Sequence, residues 1–574
     1  MLFLKQFLIF LALIIIISFI NCIYTGAGII GIDDGNIFLN YAQHIAHGQG
    51  FVFNTNGERV EGFTSLLWVL ICAGGYVITA HPELLLICFS CLLTALTITI
   101  IYREIKKDIQ KLYPAFSTYF FWIYCGFIIS IGPAYFTWSV LSLMENALWN
   151  FIFTSLIILI SQTIQPDHIS FPKKIAIVLL GCLLAITRPE SLAWNLVFTV
   201  ILIWTFIQNK RRIYFPLIYF ICVACIEVGL TMFRLHYFGF RFPNTYYAKI
   251  SPDRFYNFIE GSKYALGFLT GYQPIISFLF VLMSVVLLYG LIRLKLLRRI
   301  SIESIADSVI IKKFCIITLI ILVGFALPFT TGGDHFGGFR FYQDLLPLFA
   351  FGLIVMVWLI KFYKINKPDT KIIFSAAAIL FVFAIGFNDL IDLKNPVKTQ
   401  LNYEFILAKE GRDLAEKLNK AFPENKPSAG MIAVGGFGLL YQGNTVDLMG
   451  LNNILMGHSE GDRKGIKNHA AFNKDVFYKL NPGILLPENA DDLKDASIQY
   501  SNLLDINNFD NEAMKNIFND DVFQKEYSPV FILDKKNNAG FFAFVNINYI
   551  STLKNNVNLV VQKINAPGDE ISSN

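Results

Sequence analysis

Two adjacent carboxylates, Asp33 and Asp34, stand directly after the apolar run that opens this sequence. Charge at the mouth of a membrane-length apolar run is costly to desolvate and marks a functional position by default, the plain alternative being a solvated helix end. Such a pair can take a proton from an acceptor hydroxyl or hold a metal ion, and an apolar wall beside it lifts a carboxyl group toward the pH range where a base is useful. Glu145, in WSVLSLMENAL, is a second carboxylate with apolar neighbours and needs a partner. Arg188 and Glu190 flank Pro189, a pairing that serves either mutual neutralisation or substrate contact. FPNTYYAK supplies Asn244 and Lys249, and TGGDHFGGFRFYQDLLP supplies Asp334, His335 and Arg340 among glycines that permit close backbone approach. Lys249 and Arg340 suit a phosphate or pyrophosphate, or anionic lipid headgroups at large. Asp447, Asn452 and His458 follow in VDLMGLNN and just beyond it, as lining of an acceptor groove or as a structural loop.

These residues need a scaffold, and composition says what kind. Of 574 residues 55% are hydrophobic and 16% charged, against about a quarter charged in soluble domains. Apolar stretches of about 20 residues, enough to cross the bilayer as helix, recur as far as Phe387. The net charge of +5 is small and argues neither for nor against nucleic acid, and its basic residues, clustered between apolar segments, report topology. All nine cysteines lie in or beside the apolar part, so the polar tail contains no disulfide. Cys222 and Cys225 form a C-x-x-C without a second pair and read as small buried hydrophobes.

Basic clusters at Arg103–Lys111, Lys173-Lys174, Lys210–Arg212, Arg293–Lys313 and Lys361–Lys371 are expected on the cytoplasmic side. All five fall there if Ser65–Ala80 is a re-entrant or interfacial helix rather than a crossing. About 11 crossings result, near 4–27, 84–102, 115–132, 143–161, 173–188, 190–208, 213–234, 265–292, 314–331, 343–361 and 371–388. The N-terminus is then cytoplasmic, and residues 28–83, 133–142, 235–264, 332–342 and 389–574 face outward with nearly all the unusual polar residues. The fold class is thus a polytopic α-helical membrane domain, 1–388, followed by an extracytoplasmic α/β domain, 389–574. Ile37, Phe38, Tyr41, Ala42 and Ile45 share one helical face opposite Asn40, Gln43, His44 and His47, which predicts an interfacial helix lying on the bilayer. In the tail, Phe405–Phe422 has helical apolar spacing, while 431–436, 445–450 and 541–547 read as strands, with Gly435, Gly436 and Gly438 as strand-ending turns.

Taken in order, these segments resemble the GT-C class of polyprenyl-phosphate-dependent glycosyltransferases, in particular the branch of the mycobacterial terminal and pilin arabinofuranosyltransferases. The resemblance runs from Asp33-Asp34 through Gly48, Gly50, Glu58-Arg59-Val60-Glu61-Gly62 and Trp68 to Leu143–Leu148, Arg188–Glu190, Pro243–Lys249 with Tyr247, Gly332–Asp334 and Asp447–Leu451. It departs at Asn146, where the family has Thr, and at Asn453, where an acidic residue is usual. The resemblance implies inverting transfer of a sugar, D-arabinofuranose first and mannose or another hexose next, from a polyprenyl-phosphate donor. Asp33 would be the base, with Asp34 orienting the acceptor or binding an ion, and Glu58, Arg59, Glu61 and Tyr247 would join the substrate-binding set. It further implies a glycan or protein acceptor such as pilin, contact with membrane lipid, no nucleic acid, a bacterial cytoplasmic-membrane location, and no cofactor beyond a candidate divalent cation. A lipid-linked-sugar flippase is the competing class, but it would place ionisable groups near mid-membrane on several helices.

Overall fold

The structure is a computed structural model that describes residues 2–25, 28–114, 120–165, 169–272, 274–296, 305–355, 357, 396–487, 490 and 492–564. Helix α1, Leu2–Thr25, is apolar throughout and buries Phe10 and Ile14 against α4, Glu83–Leu112. Between them the chain forms α2, Asp33–Ala46, and α3, Leu66–Ile78. Thirteen residues of helix in α3 span about 20 Å, too short for the ~30 Å of hydrocarbon. The side chain of Ser65 starts α3 by accepting from the Trp68 amide at 3.2 Å.

Among the described residues six helices are long and apolar enough to cross a membrane, or up to eight if each of two bent pairs forms one span. The bent pairs are Phe120–Ser130 with Pro133–Leu141, turning by 80°, and Arg254–Gly271 with Ile275–Tyr289, turning by 111°. The span expected at 265–292 is therefore broken beside Gly271, where Pro274 starts a new helix. The span expected at 173–188 is the 15-residue helix Phe171–Ala185. The end of 343–361 (356 and 358–361), all of 371–388, part of the basic cluster 293–313, the cluster 361–371 and the 388/389 boundary lie outside the described residues.

The tail carries a six-stranded mixed sheet in the order β2-β1-β3-β5-β4-β6. The strands are β1 Ala429–Met431, β2 Thr445–Asp447, β3 Ile484–Leu485, β4 Tyr527–Asp534, β5 Ala539–Asn546 and β6 Leu559–Lys563. β1 pairs in parallel with β2 and β3, and the remaining pairings are antiparallel. Helix Pro396–Ala421 lies against the short helix Gly435–Leu440. The predicted strand at 431–436 thus ends at Met431, and its glycines open a helix instead of a turn.

α2 is packed between α3 and Gly435–Leu440. Its residues from Gly35 to Ala42 are buried, and Asn40, on the polar face, donates to the Phe53 carbonyl at 3.2 Å. Gln43 and His44 are half-buried and His47 is exposed. The tail thus supplies a partner surface for the buried part of this amphipathic helix.

Candidate active site

α2 begins with Asp33 and Asp34, so both carboxylates sit where the positive end of the helix dipole favours them. They point to different neighbours. Asp33 Oδ2 accepts from the Gly435 amide at 2.9 Å and Oδ1 from the Gly436 amide at 2.8 Å. A Cβ on Gly435 would collide with the Asp33 carbonyl, and one on Gly436 with the Ala408 carbonyl, so both glycines allow this approach. Burial pushes the Asp33 carboxyl up to about 6, against the pull of the two amides.

Asp34 faces the other way, toward two cations. Its Oδ2 is 3.4 Å from Lys249 Nζ and 3.8 Å from Arg340 Nη1. Burial would raise this carboxyl, but Lys249, Arg340 and His335 bring it below its ordinary value. Lys249 ends the helix Asn244–Lys249, where a cation complements the dipole. Arg340 opens the short helix Arg340–Gln343, and its guanidinium lies over Phe336 at 4.4 Å, Phe341 at 5.5 Å and Trp138 at 5.6 Å.

Asp334 holds Arg340 from behind, its Oδ2 2.7 Å from Nε. Its other oxygen accepts from the His335 amide at 3.0 Å and from Asn468 Nδ2 at 2.7 Å. Burial raises this carboxyl, but Arg340 and His335 hold it far below the usual range. The tail closes the cluster: the His469 ring meets His335 edge-on at 4.6 Å, and burial lowers His469 to about 3, so it is neutral. Glu404, on helix Pro396–Ala421, faces the same group, and burial followed by Asp34 and Asp33 pushes it well above its ordinary range.

Two apolar residues beside the cluster adopt left-handed backbone, Leu143 at φ 59° and Phe339 at φ 53°. Such conformations cost about 1–3 kcal/mol and gather at functional sites. Phe339 aims Arg340, while Leu143 gives its carbonyl to Trp68 Nε1 at 2.9 Å and its side chain to the space above Gly31.

A second cluster is centred on Arg188. Its Nε is 3.3 Å from Glu145 and 3.0 Å from Glu190, and its Nη1 is 3.2 Å from Asp344. Phe341 links the two clusters, since its ring carries Arg188 at 5.9 Å and Arg340 at 5.5 Å.

Of the remaining expected site residues, Asn244, Glu58 and Asn452 join the helical part to the tail, while Glu61 and Arg59 pair within the helical part. Glu61 pairs with buried Arg234 through bonds of 2.9–3.1 Å, and its carbonyl accepts from the Asn244 amide at 2.9 Å. Asn244 Nδ2 donates to the Gly450 and Leu451 carbonyls at 2.7 and 3.0 Å. Asp447, which burial pushes up to about 6, accepts from the amides of Met449, Gly450 and Asn452 and from Asn452 Nδ2. Asn452 Oδ1 in turn accepts from the Tyr41 hydroxyl at 3.1 Å. Glu58 accepts from the Ile454 amide at 2.9 Å, Arg59 lies over Tyr237 at 4.7 Å, and the His458 ring stacks 4.0 Å from Phe240 and 4.2 Å from Tyr247.

Sequence reasoning did not find Glu404, Asp344 or Arg234, nor the contribution of Asn468 and His469 to the main cluster. Among the described residues no group of three or more His, Cys, Asp or Glu side chains is arranged to hold a metal ion.

No protein-family model matches the chain, and no curated protein matches it. The chain is similar to solved structures at low identity. One is ArnT from Cupriavidus metallidurans bound to undecaprenyl phosphate, with a TM-score of 0.48, 12% identity, and 84% of this chain and 92% of that one covered. Another is the oligosaccharyltransferase of Archaeoglobus fulgidus in the apo form, with a TM-score of 0.46, 11% identity, and 96% and 76% covered. A third is the oligosaccharyltransferase AglB of the same archaeon with an inhibitory peptide and a dolichol-phosphate, with a TM-score of 0.40, 11% identity, and 93% and 72% covered.

Proposed function

We propose that this chain is a GT-C-type membrane glycosyltransferase that moves a sugar, with inversion, from a polyprenyl-phosphate donor to a glycan or protein acceptor outside the cytoplasm. The observation that carries the reading is the convergence of Lys249 and Arg340 on one oxygen of Asp34. Both separations exceed the ~2.7–2.9 Å of a charge-assisted hydrogen bond, so each cation keeps donors for an incoming anion. Among the described residues, Arg340 Nη1 has the Met144 sulfur, at 3.8 Å, as its partner beyond Asp34. A lipid phosphate arriving at the outer end of α1 meets two cations beside one carboxylate.

Asp34 is the base in this reading, and Asp33 positions it. Both Asp33 oxygens are engaged by the Gly435 and Gly436 amides, which leaves it poorly disposed to meet an acceptor proton. Asp34 is held low while Lys249 and Arg340 face it; a bound phosphate draws on those cations, adds negative charge and raises Asp34 toward the range in which a carboxylate accepts a proton. The acceptor hydroxyl loses its proton to Asp34 as its oxygen bonds to the anomeric carbon. The sugar–phosphate bond breaks on the opposite side, and the departing phosphate is stabilised by Lys249 and Arg340. D-Arabinofuranose is the sugar that the ordered motifs favour, with mannose or another hexose behind it, and pilin is one acceptor of the expected kind. Mass spectrometry of surface glycans and glycoproteins from source cells with and without this protein tests the reading. The expected result is loss of one sugar type from one acceptor; unchanged glycans together with no transfer by the purified chain from any polyprenyl-phospho-sugar would overturn it.

A further inference from the structure

Outside the Asp34 cluster, an excess of negative charge surrounds Arg188. One guanidinium is shared by three carboxylates, Glu145, Glu190 and Asp344, and two of these are deeply buried, at 1% and 6% exposed. Glu145 Oε2 and Asp344 Oδ1 have no hydrogen-bond partner among the described residues. An orphaned carboxylate oxygen in a buried site costs more than an ordinary unpaired polar atom, so a cation is the group that such a site wants.

The cluster opens into space. Asp344 and Glu190 line an open cleft whose walls include Trp149, Phe153, Trp194 and Phe341. Indole and phenyl faces attract a cation through their quadrupole, most strongly where water is thin. Carboxylates with aromatic faces suit an ammonium group, which offers compact charge and three donors. A divalent ion fits less well, because no three-carboxylate ligand set exists among the described residues. An anionic group is disfavoured by the excess of negative over positive side chains.

The geometry points to this cleft as a binding site for a protonated primary amine, carried by the acceptor or by an ethanolamine lipid headgroup, with Asp344 and Glu190 receiving its hydrogen bonds. The inference rests on the glycosyltransferase reading only in taking the amine-bearing molecule to be part of the reaction. Phe341 forms the wall shared with Arg340, so an amine held here fixes its molecule beside the phosphate-binding cations.

The full chain in nanodiscs of phosphatidylglycerol is titrated with ethanolamine and with N-acetylethanolamine, read by calorimetry and by tryptophan fluorescence, since Trp149 and Trp194 line the cleft. Ethanolamine is expected to bind and its uncharged counterpart to bind at least about tenfold more weakly, the scale of one charge-assisted hydrogen bond. Asp344→Asn should weaken ethanolamine by a similar factor. Glu190→Gln, at a partly exposed position, gives the same readout if the Asp344 variant does not fold. Repeating the titration in phosphatidylethanolamine nanodiscs assigns the source: competition identifies the lipid headgroup, and undiminished ethanolamine binding identifies an amine on the acceptor. Equal binding of the two probes, or binding indifferent to both substitutions, overturns the inference. Because the titration requires no turnover, a chain that transfers sugar yet ignores ethanolamine refutes the amine site alone, whereas one that binds ethanolamine but transfers nothing refutes the glycosyltransferase reading.

Discussion

Lys249 Nζ lies 3.4 Å from Asp34 Oδ2, although the two residues are 215 positions apart in the chain. Both side chains are nearly buried, at 18% and 19% exposed, so the pair is neither a screened surface contact nor a closed interior one. It is loose enough for a third charged group to enter between the partners. Asp34 is expected to release Lys249 to a phosphate and recover it when the phosphate leaves.

Asp34→Asn keeps the shape of this pair and removes its basicity. Turnover is expected to fall about 10²- to 10⁴-fold, with thermal stability changed by less than about 1 kcal/mol. Single-turnover transfer and a melting curve on the same preparation check both parts. An active Asp34→Asn together with a folded but inactive Asp33→Asn would return the base to Asp33.

Asp33→Ala is expected to act on assembly. It strands the Gly435 and Gly436 amides, at about 1–3 kcal/mol each. Hydrogen exchange at residues 435 and 436 should accelerate before that in the strands of the tail sheet. The titration of Asp33 carries its own sign: with the folded group raised from 3.8 to about 6, the native state holds a proton that the unfolded chain has lost. This contribution to stability is therefore full below 3.8 and declines as pH rises to about 6, and Asp33→Asn removes the slope.

The pH profile of kcat/KM should move in one direction when Lys249 is removed. Lys249 is the foremost of the groups lowering Asp34. Under the proposed function the ionised Asp34 is the active form, so the wild-type acid limb is expected below the ordinary carboxylate range. In Lys249→Ala that limb shifts to higher pH, and affinity for a polyprenyl-phospho-sugar falls about tenfold or more. An unmoved limb would separate Lys249 from Asp34 functionally.

Glu61→Gln is expected to cost about 3–5 kcal/mol, because it leaves Arg234 buried without its counter-charge. Glu58→Ala, which removes one exposed acceptor from the Ile454 amide, should cost about 1 kcal/mol at most. Comparing the two melting temperatures tests whether Glu61 sits in a buried pair and Glu58 at an exposed rim.

Much of the main cluster could be read from the chain. Asp34, Lys249, Asp334, His335 and Arg340 all lie in segments whose residue types and ordered spacing nominated them, and the structure brings them together. The partners of Asp33 were hidden, because Gly435 and Gly436 read locally as a turn and nothing in their neighbourhood encodes a distant carboxylate. Asp344 and Arg234 were hidden for a related reason: a lone charge in an apolar run shows that it needs a partner but not which one. α2 shows a further limit, since an amphipathic pattern specifies an apolar face and is silent on whether protein or lipid covers it. Glu58 and Glu61 stood together with one expected role, yet one carboxylate sits at an exposed rim and the other in a buried pair.

The bonds from Asp33 to Gly435 and Gly436 also set an order of events during biosynthesis. Asp33 precedes Gly435 by 402 residues, which at roughly 5–20 residues per second is about 20–80 s of translation. Throughout that interval Asp33 waits without its partner amides, and Asp34 stands beside a half-built pocket. The cluster becomes complete only once the tail has been made, so under the proposed function a chain truncated before Gly435 is expected to transfer no sugar.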